Sequence, residues 1–136
     1  MCIRDRTRTL RQEMDPGTAA TAHYLAARTL QELDRTDEAA AQFERTLERD
    51  PDHAEALVYL AHLRFGQKKY EDALNLYRAQ ENLKPGSVTV LANIGVTLFF
   101  LGRHTEALEN MERVLRLDPD HAMARKMVAR LRKGNP

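Results

Sequence analysis

The chain has 136 residues, with 21 Lys and Arg against 20 Asp and Glu, for a formal net charge of +1. That balance gives no bulk-charge signature of a nucleic-acid binder. The longest apolar-looking run, residues 91–101, is too short to span a bilayer and is interrupted by Asn93 and Thr97. The one cysteine, Cys2, excludes an internal disulfide.

The chain opens with Met1-Cys2-Ile3-Arg4-Asp5-Arg6. This reads as a translated sequencing adaptor: the transposon mosaic end of tagmentation libraries, ATG TGT ATA AGA GAC AG, encodes Met-Cys-Ile-Arg-Asp followed by Ser or Arg. Residues 1–6 are therefore set aside from fold reasoning, and removing Arg4, Arg6 and Asp5 leaves 19 basic and 19 acidic residues. The expectation is a metagenomic fragment whose natural start is unknown. Residues 7–16, ending Met14-Asp15-Pro16, read as the remnant of a preceding helix, with a start at Met14 as the alternative.

From residue 20 onward a period governs the sequence. Pro51, Pro85 and Pro119 are spaced by 34 residues, and a fixed period of this size signals repeated supersecondary units. The frame is 20–53, 54–87 and 88–121, with a closing helix at 122–136. The eighth place of each unit is small (Ala27, Ala61, Gly95, then Ala129), the twentieth is Ala39, Ala73 and Ala107, and the twenty-fourth is Phe43, Tyr77 and Met111. Small residues let helix backbones approach, and large ones fill the space that remains.

Each unit reads as two helices. In the second unit Leu57, Leu60, Ala61 and Leu63 fall on one helical face, as do Ala73, Leu74, Tyr77 and Leu83. Turns are expected at Leu33-Asp34-Arg35, Gly66-Gln67-Lys68-Lys69 and Leu101-Gly102-Arg103. The second helices open with acids (Asp37-Glu38, Glu71-Asp72, Glu106) and end near cations (Arg49, Lys84, Arg116), which suits the helix dipole. Pro16 and Gly17 are placed in a connection, and Gly95 alone among the glycines inside a helix. Proline inside a helix would cost roughly 3 kcal/mol, so the positions of the prolines support the frame. Residues 91–101 are expected to form the most buried helix.

The pattern Leu57-Leu60-Ala61, Tyr70, Ala73, Tyr77, Lys84-Pro85, repeated as Leu91-Ile94-Gly95, Ala107, Met111, Leu117-Asp118-Pro119, resembles the tetratricopeptide repeat family over residues 20–133. His23, Arg64 and Gln80 depart from that pattern. The resemblance implies an all-α fold, a right-handed α-solenoid of helix-turn-helix units. It also implies a protein–protein interaction module that binds a peptide or partner segment on its concave face, as scaffold or adaptor.

Family geometry puts the first helix of each unit on that face. The residues it singles out are Tyr24 and Arg28, then Tyr59, His62 and Phe65, then Asn93, Val96 and Phe99, with Met127 and Arg130 from the closing helix. Ala92, Phe100 and Met123 are expected on the same face. Aromatic anchors among polar groups suit peptide recognition. Asn93 matches the place where family members often hold a ligand backbone, and an amide both donates and accepts. The family's carboxylate clamp is not reproduced: its other places hold Tyr24, Arg28, Tyr59 and Thr89, which argues against recognition of chaperone C-terminal tails.

No chemistry-bearing constellation accompanies this pattern. Of His23, His53, His62, His104 and His121, no two share an i, i+4 face, and there is neither a Cys pair nor a Gly-rich phosphate loop. The reading is a non-enzyme with no metal site and no cofactor, whose partners are proteins or peptides rather than nucleic acid. His104 takes the place of Tyr70 one unit on and is expected to be a packed ring. Residues 125–133 carry five cations, read as a solubilising end helix closed by Gly134-Asn135. Two alternatives stand: the accessory array of a larger enzyme with its catalytic domain upstream, or a module that self-associates through its repeat ends.

Overall fold

The computed structural model describes residues 15–134. The expectations for residues 1–14, including the adaptor-like start, the upstream helix and Met14, lie outside the described residues, as do Asn135 and Pro136. Seven helices and no strand are found among the described residues: α1 (Pro16–Glu32), α2 (Thr36–Arg49), α3 (Ala54–Gly66), α4 (Tyr70–Leu83), α5 (Val88–Phe100), α6 (His104–Leu117) and α7 (Ala122–Arg132). The chain forms two compact units that meet in sequence after Ala56, inside α3.

The first unit holds the α1–α2 hairpin. Asp15 caps α1 by accepting the Thr18 N–H at 2.6 Å, and Pro16 occupies the first helical position, where its missing N–H costs nothing. These two signals start the helix at residue 16, so Gly17 lies in its first turn and not in a connection as the sequence reading had it. Ala20 and Ala27 of α1 and Ala39, Ala40, Phe43 and Thr46 of α2 are buried. His23, a departure from the apolar pattern, is accommodated by a 2.8 Å hydrogen bond between its Nδ1 and Gln42 Oε1. Thr46 is buried with its hydroxyl donated to the Gln42 carbonyl.

The second unit builds two adjoining cores. Ala61, Ala73, Leu74, Tyr77, Val90, Ile94, Leu98 and Ala107 form one, bordered by Phe65, Phe99 and Leu131. Leu91, Ala92, Met111, Val114, Ala124 and Val128 form the other. Helix α5 contributes to both and has seven buried residues, as expected for the most apolar helix. Burying Leu74, Leu91 and Leu98 completely contributes about 1.5–3 kcal/mol each. Ala92, expected on the concave face, is instead buried beside Ala124 and Val128: α5 is covered on both sides, and the small side chain is taken into the second core.

Local geometry recurs along the chain. Helices α2, α4 and α6 begin at Thr36, Tyr70 and His104. The left-handed turn residue before each is Asp34 (φ 59°), Lys68 (φ 62°) and Gly102 (φ 78°). In the middle turn Gly66 ends α3, and the strained conformation falls on Lys68, two places later than the glycine suggests. The first helices share a capping place: His53 Nδ1 accepts the Ala56 N–H at 3.2 Å, Ser87 Oγ the Val90 N–H at 3.4 Å, and His121 Nδ1 the Ala124 N–H at 3.2 Å. Arg35 and Arg103 fork onto Glu38 and Glu106 three residues on, the shorter contacts being 2.6 and 2.7 Å.

Candidate peptide-binding cleft

A cleft of about 290 Å³ opens in the second unit, lined by His62 and Phe65 of α3, Tyr77 of α4, Asn93, Val96 and Thr97 of α5, and Met123 of α7. Helical spacing assembles it: His62 and Phe65 are i, i+3, and Asn93, Val96 and Thr97 are i, i+3 and i+4, so each set shares one face. Leu74, Ile94 and Leu98, buried in the same core as Tyr77, fix the helices that carry it.

Its polar groups are few and convergent. The His62 ring packs on Tyr77 with centroids 5.8 Å apart. The side chains of His62, Tyr77 and Asn93 make no hydrogen bond to any described residue. Thr97 is different, because its hydroxyl is satisfied by the Asn93 carbonyl at 2.7 Å. Burial pushes the Tyr77 phenol up to about 12, so the group is a neutral donor at physiological pH. An apolar concavity with an amide, a phenol and an imidazole free to pair is the chemistry that holds a peptide backbone while an apolar side chain fills the space.

Of the residues expected on the concave face, His62, Phe65, Asn93, Val96 and Met123 are brought together here. Phe99 does not line the cleft: it packs edge-on against His104 at 5.3 Å, with the Arg130 guanidinium 5.3 Å from its centroid. His104 is the packed ring expected. Met127 is half-buried against the second core. Tyr59 is half-buried on α3. Tyr24 and Arg28 belong to the first unit, where Arg28 donates to the Tyr24 hydroxyl at 3.4 Å and the Tyr24 ring packs on His53 and Phe43. Sequence reasoning assigned Tyr77 to packing alone. What sets it apart in the sequence is its hydroxyl, which Phe43 and Met111 lack at the same repeat place.

Away from the cleft, ion pairs run along the second helices: Glu71–Arg103 at 3.7 Å, Arg103–Glu106, Glu106–Arg78 at 3.5 Å and Glu81–Arg113 at 3.3 Å. The hydrogen bonds from Arg103 hold the Glu106 carboxyl below its ordinary range. Among the described residues there is no group of three or more metal-ligating side chains, and no helix long and apolar enough to cross a membrane.

A tetratricopeptide repeat family model matches residues 24–87, and a second model described in the same words matches residues 64–131. The sequence is 33% identical over 89 residues to the Arabidopsis thaliana protein CTR9 homolog, covering 65% of this chain and 8% of that protein. The chain thus spans a small fraction of that relative's length.

Among solved structures, the first TPR of Spaghetti (RPAP3), bound to the HSP90 peptide SRMEEVD, superposes with TM-score 0.74 at 20% identity, covering 89% of this chain and 96% of that one. The second TPR domain of human RPAP3, in complex with the HSP70 peptide SGPTIEEVD, gives 0.73 at 22% identity, covering 88% and 99%. A MamA structure, AMB-1, gives 0.76 at 23%, covering 88% and 66%. At these identities the likeness shows the fold, which is the all-α solenoid class predicted from the sequence.

Proposed function

The chain belongs to the tetratricopeptide repeat family, and on that premise we propose that it is a protein-interaction module whose second unit captures a peptide segment in the cleft between His62, Tyr77 and Asn93. The observation that carries this reading is the set of three polar side chains without partners among the described residues, facing one apolar concavity. Left unpaired, such groups cost free energy on desolvation. A peptide backbone supplies both the donors and the acceptors they need.

The anchor is an apolar side chain seated against Phe65, Val96 and Met123. Asn93 orients the ligand by pairing with its backbone, and Tyr77 donates to a ligand carbonyl. The repeat units are 20–53, 54–87 and 88–121, with 122–136 closing the array. Tyr59 and Met127 extend the contact surface of the second unit for a longer partner, while Tyr24 and Arg28 are contact residues of the first unit. The module is non-catalytic, as is typical of its family, and acts as scaffold or adaptor.

The test is selection of a random peptide library displayed on phage against the full chain, followed by calorimetric titration of the enriched peptides. Asn93→Ala and His62→Ala should each weaken binding about tenfold, a loss of about 1.4 kcal/mol. Enriched peptides whose affinity neither variant changes would refute the assignment.

A further inference from the structure

The second unit carries another feature that the cleft does not use. Helices α3, α5 and α7 end, and α4 and α6 begin, at the same edge. There Phe65, Tyr70, Phe99, Phe100 and His104 make one continuous set of ring contacts. Tyr70 and Phe100 are stacked at 5.3 Å with 17° between planes, and Phe65 meets both edge-on at 5.1 and 5.5 Å. Phe99 joins Phe100 to His104. The outermost ring, Phe100, is 52% exposed. A large aromatic held rigidly in solvent by three neighbours is the form of an anchor, not of a loosely exposed side chain.

Charge at this edge is one-sided once internal pairs are removed. Glu71 and Glu106 are taken up by Arg103 and Arg78. Lys68 and Lys69, in the turn between Phe65 and Tyr70, and Lys133, which caps α7, are exposed and make no ion pair with described residues. Arg130 is exposed beside Phe99. Asp72 is the acid left at the edge.

We propose that this turn edge is a second docking surface, taking an acidic protein segment that inserts an aromatic or large aliphatic side chain beside Phe100. Complementary charge selects the segment, and the Tyr70–Phe100 stack supplies the apolar contact. A nucleic-acid strand would stack on the same rings, but Asp72 and the paired Glu71 and Glu106 interrupt any continuous cationic track for a phosphate backbone. The surface is distinct from the cleft, with Phe65 the residue common to both.

The experiment uses the full chain, labelled with nitrogen-15, and short fluorescent peptides with Glu and Asp on both sides of one Trp at varied spacing. Binding should perturb the amides of Lys68, Lys69, Tyr70 and Phe100. It should weaken about tenfold or more in Phe100→Ser and in the Lys68→Glu, Lys69→Glu double variant, while Asn93→Ala leaves it unchanged. Phe100, Lys68 and Lys69 are exposed and Asn93 lines the cleft, and a thermal melt of each variant serves as the check that it folds. The proposal is overturned by any of four results: no binding of the peptides, equal binding of analogues with Lys for the acids or Ala for Trp, capture of a single-stranded oligonucleotide but not of the peptides, or a concentration-dependent rise in molecular mass that Phe100→Ser abolishes. The last would assign the patch to a second copy of the chain. Loss of cleft binding in Asn93→Ala bears on the first site alone, so the two readings fail separately.

Discussion

Gly95 of α5 lies directly against Met111 of α6: a Cβ built on Gly95 would sit 2.8 Å from Met111 Cε, 3.1 Å from its Sδ and 3.2 Å from its Cγ. The eighth and twenty-fourth places of the repeat thus meet in space, and Met111 is buried completely because Gly95 gives it room. The Cβ clash is with the flexible end of a thioether, so Gly95→Ala should be nearly neutral: about 1 kcal/mol gained in helix propensity is offset by the displaced methionine. Gly95→Leu has no such escape and should cost about 1–3 kcal/mol by overpacking. In a denaturant-melt double-mutant cycle, Met111→Ala should recover part of that loss. Strict additivity of the two substitutions would contradict the contact.

The turns offer an independent check. Asp34, Lys68 and Gly102 adopt the same left-handed conformation, and of these Lys68 is the worst suited to it. Lys68→Gly should stabilise the chain by about 1 kcal/mol, and Gly102→Lys should destabilise it by about the same, because side chains with a Cβ pay for positive φ. Thermal unfolding of the two variants measures both; equal melting temperatures for Lys68→Gly and the parent chain would refute the strain.

Alkaline pH should unfold the chain through Tyr77. Its phenol is raised by burial from 10.0 to about 12. A raised pKa means that the folded state holds the proton more tightly than the unfolded one. The stability this contributes is complete below pH about 10 and is lost as pH rises through about 12. Tyr77→Phe keeps the ring and removes the titration, so its melting temperature should fall less steeply over that window. Parallel pH profiles would show that the phenol is not held in the core.

Acid should act at the other end, through the Arg103–Glu106 pair. The hydrogen bond from Arg103 lowers the Glu106 carboxyl below its ordinary value of 4.5. A depressed pKa contributes stability that is present above that value and lost as pH falls through the folded one. The pair lies on the surface, so salt should reduce the effect. Glu106→Gln should lower the melting temperature at pH 7 and converge with the parent chain in acid. A difference that persists unchanged in acid would assign Glu106 a role other than its charge.

Much of this structure was legible in the sequence because packing imposed a period. The placing of Ala61 and Tyr77 in one core and of Gly95 against Met111 follows from spacing, and so does the deep burial of α5. The start of α1 was misplaced because Asp15 and Pro16 act locally and outside the period. The capping roles of His53 and His121 were missed because imidazole is an uncommon cap acceptor, although their place coincides with that of Ser87. Five of the seven lining residues were visible as helical faces: His62 with Phe65, Asn93 with Val96, and Met123 on the closing helix. Tyr77 was not, since one side chain can fill a core and still present a hydroxyl to a cleft, and a one-dimensional pattern records only the first role. Phe99 was drawn away from the cleft by His104 and Arg130, partners from two other helices that no single helical face reveals.

The most direct measurement of the central claim is a nitrogen-15 titration of the full chain with a library-selected peptide, following the side-chain NH₂ resonances of Asn93. If the cleft captures a peptide backbone, those resonances and the backbone amides of His62 and Val96 move together and saturate with the affinity found by calorimetry. Saturable binding that leaves the Asn93 side chain unmoved would contradict the account.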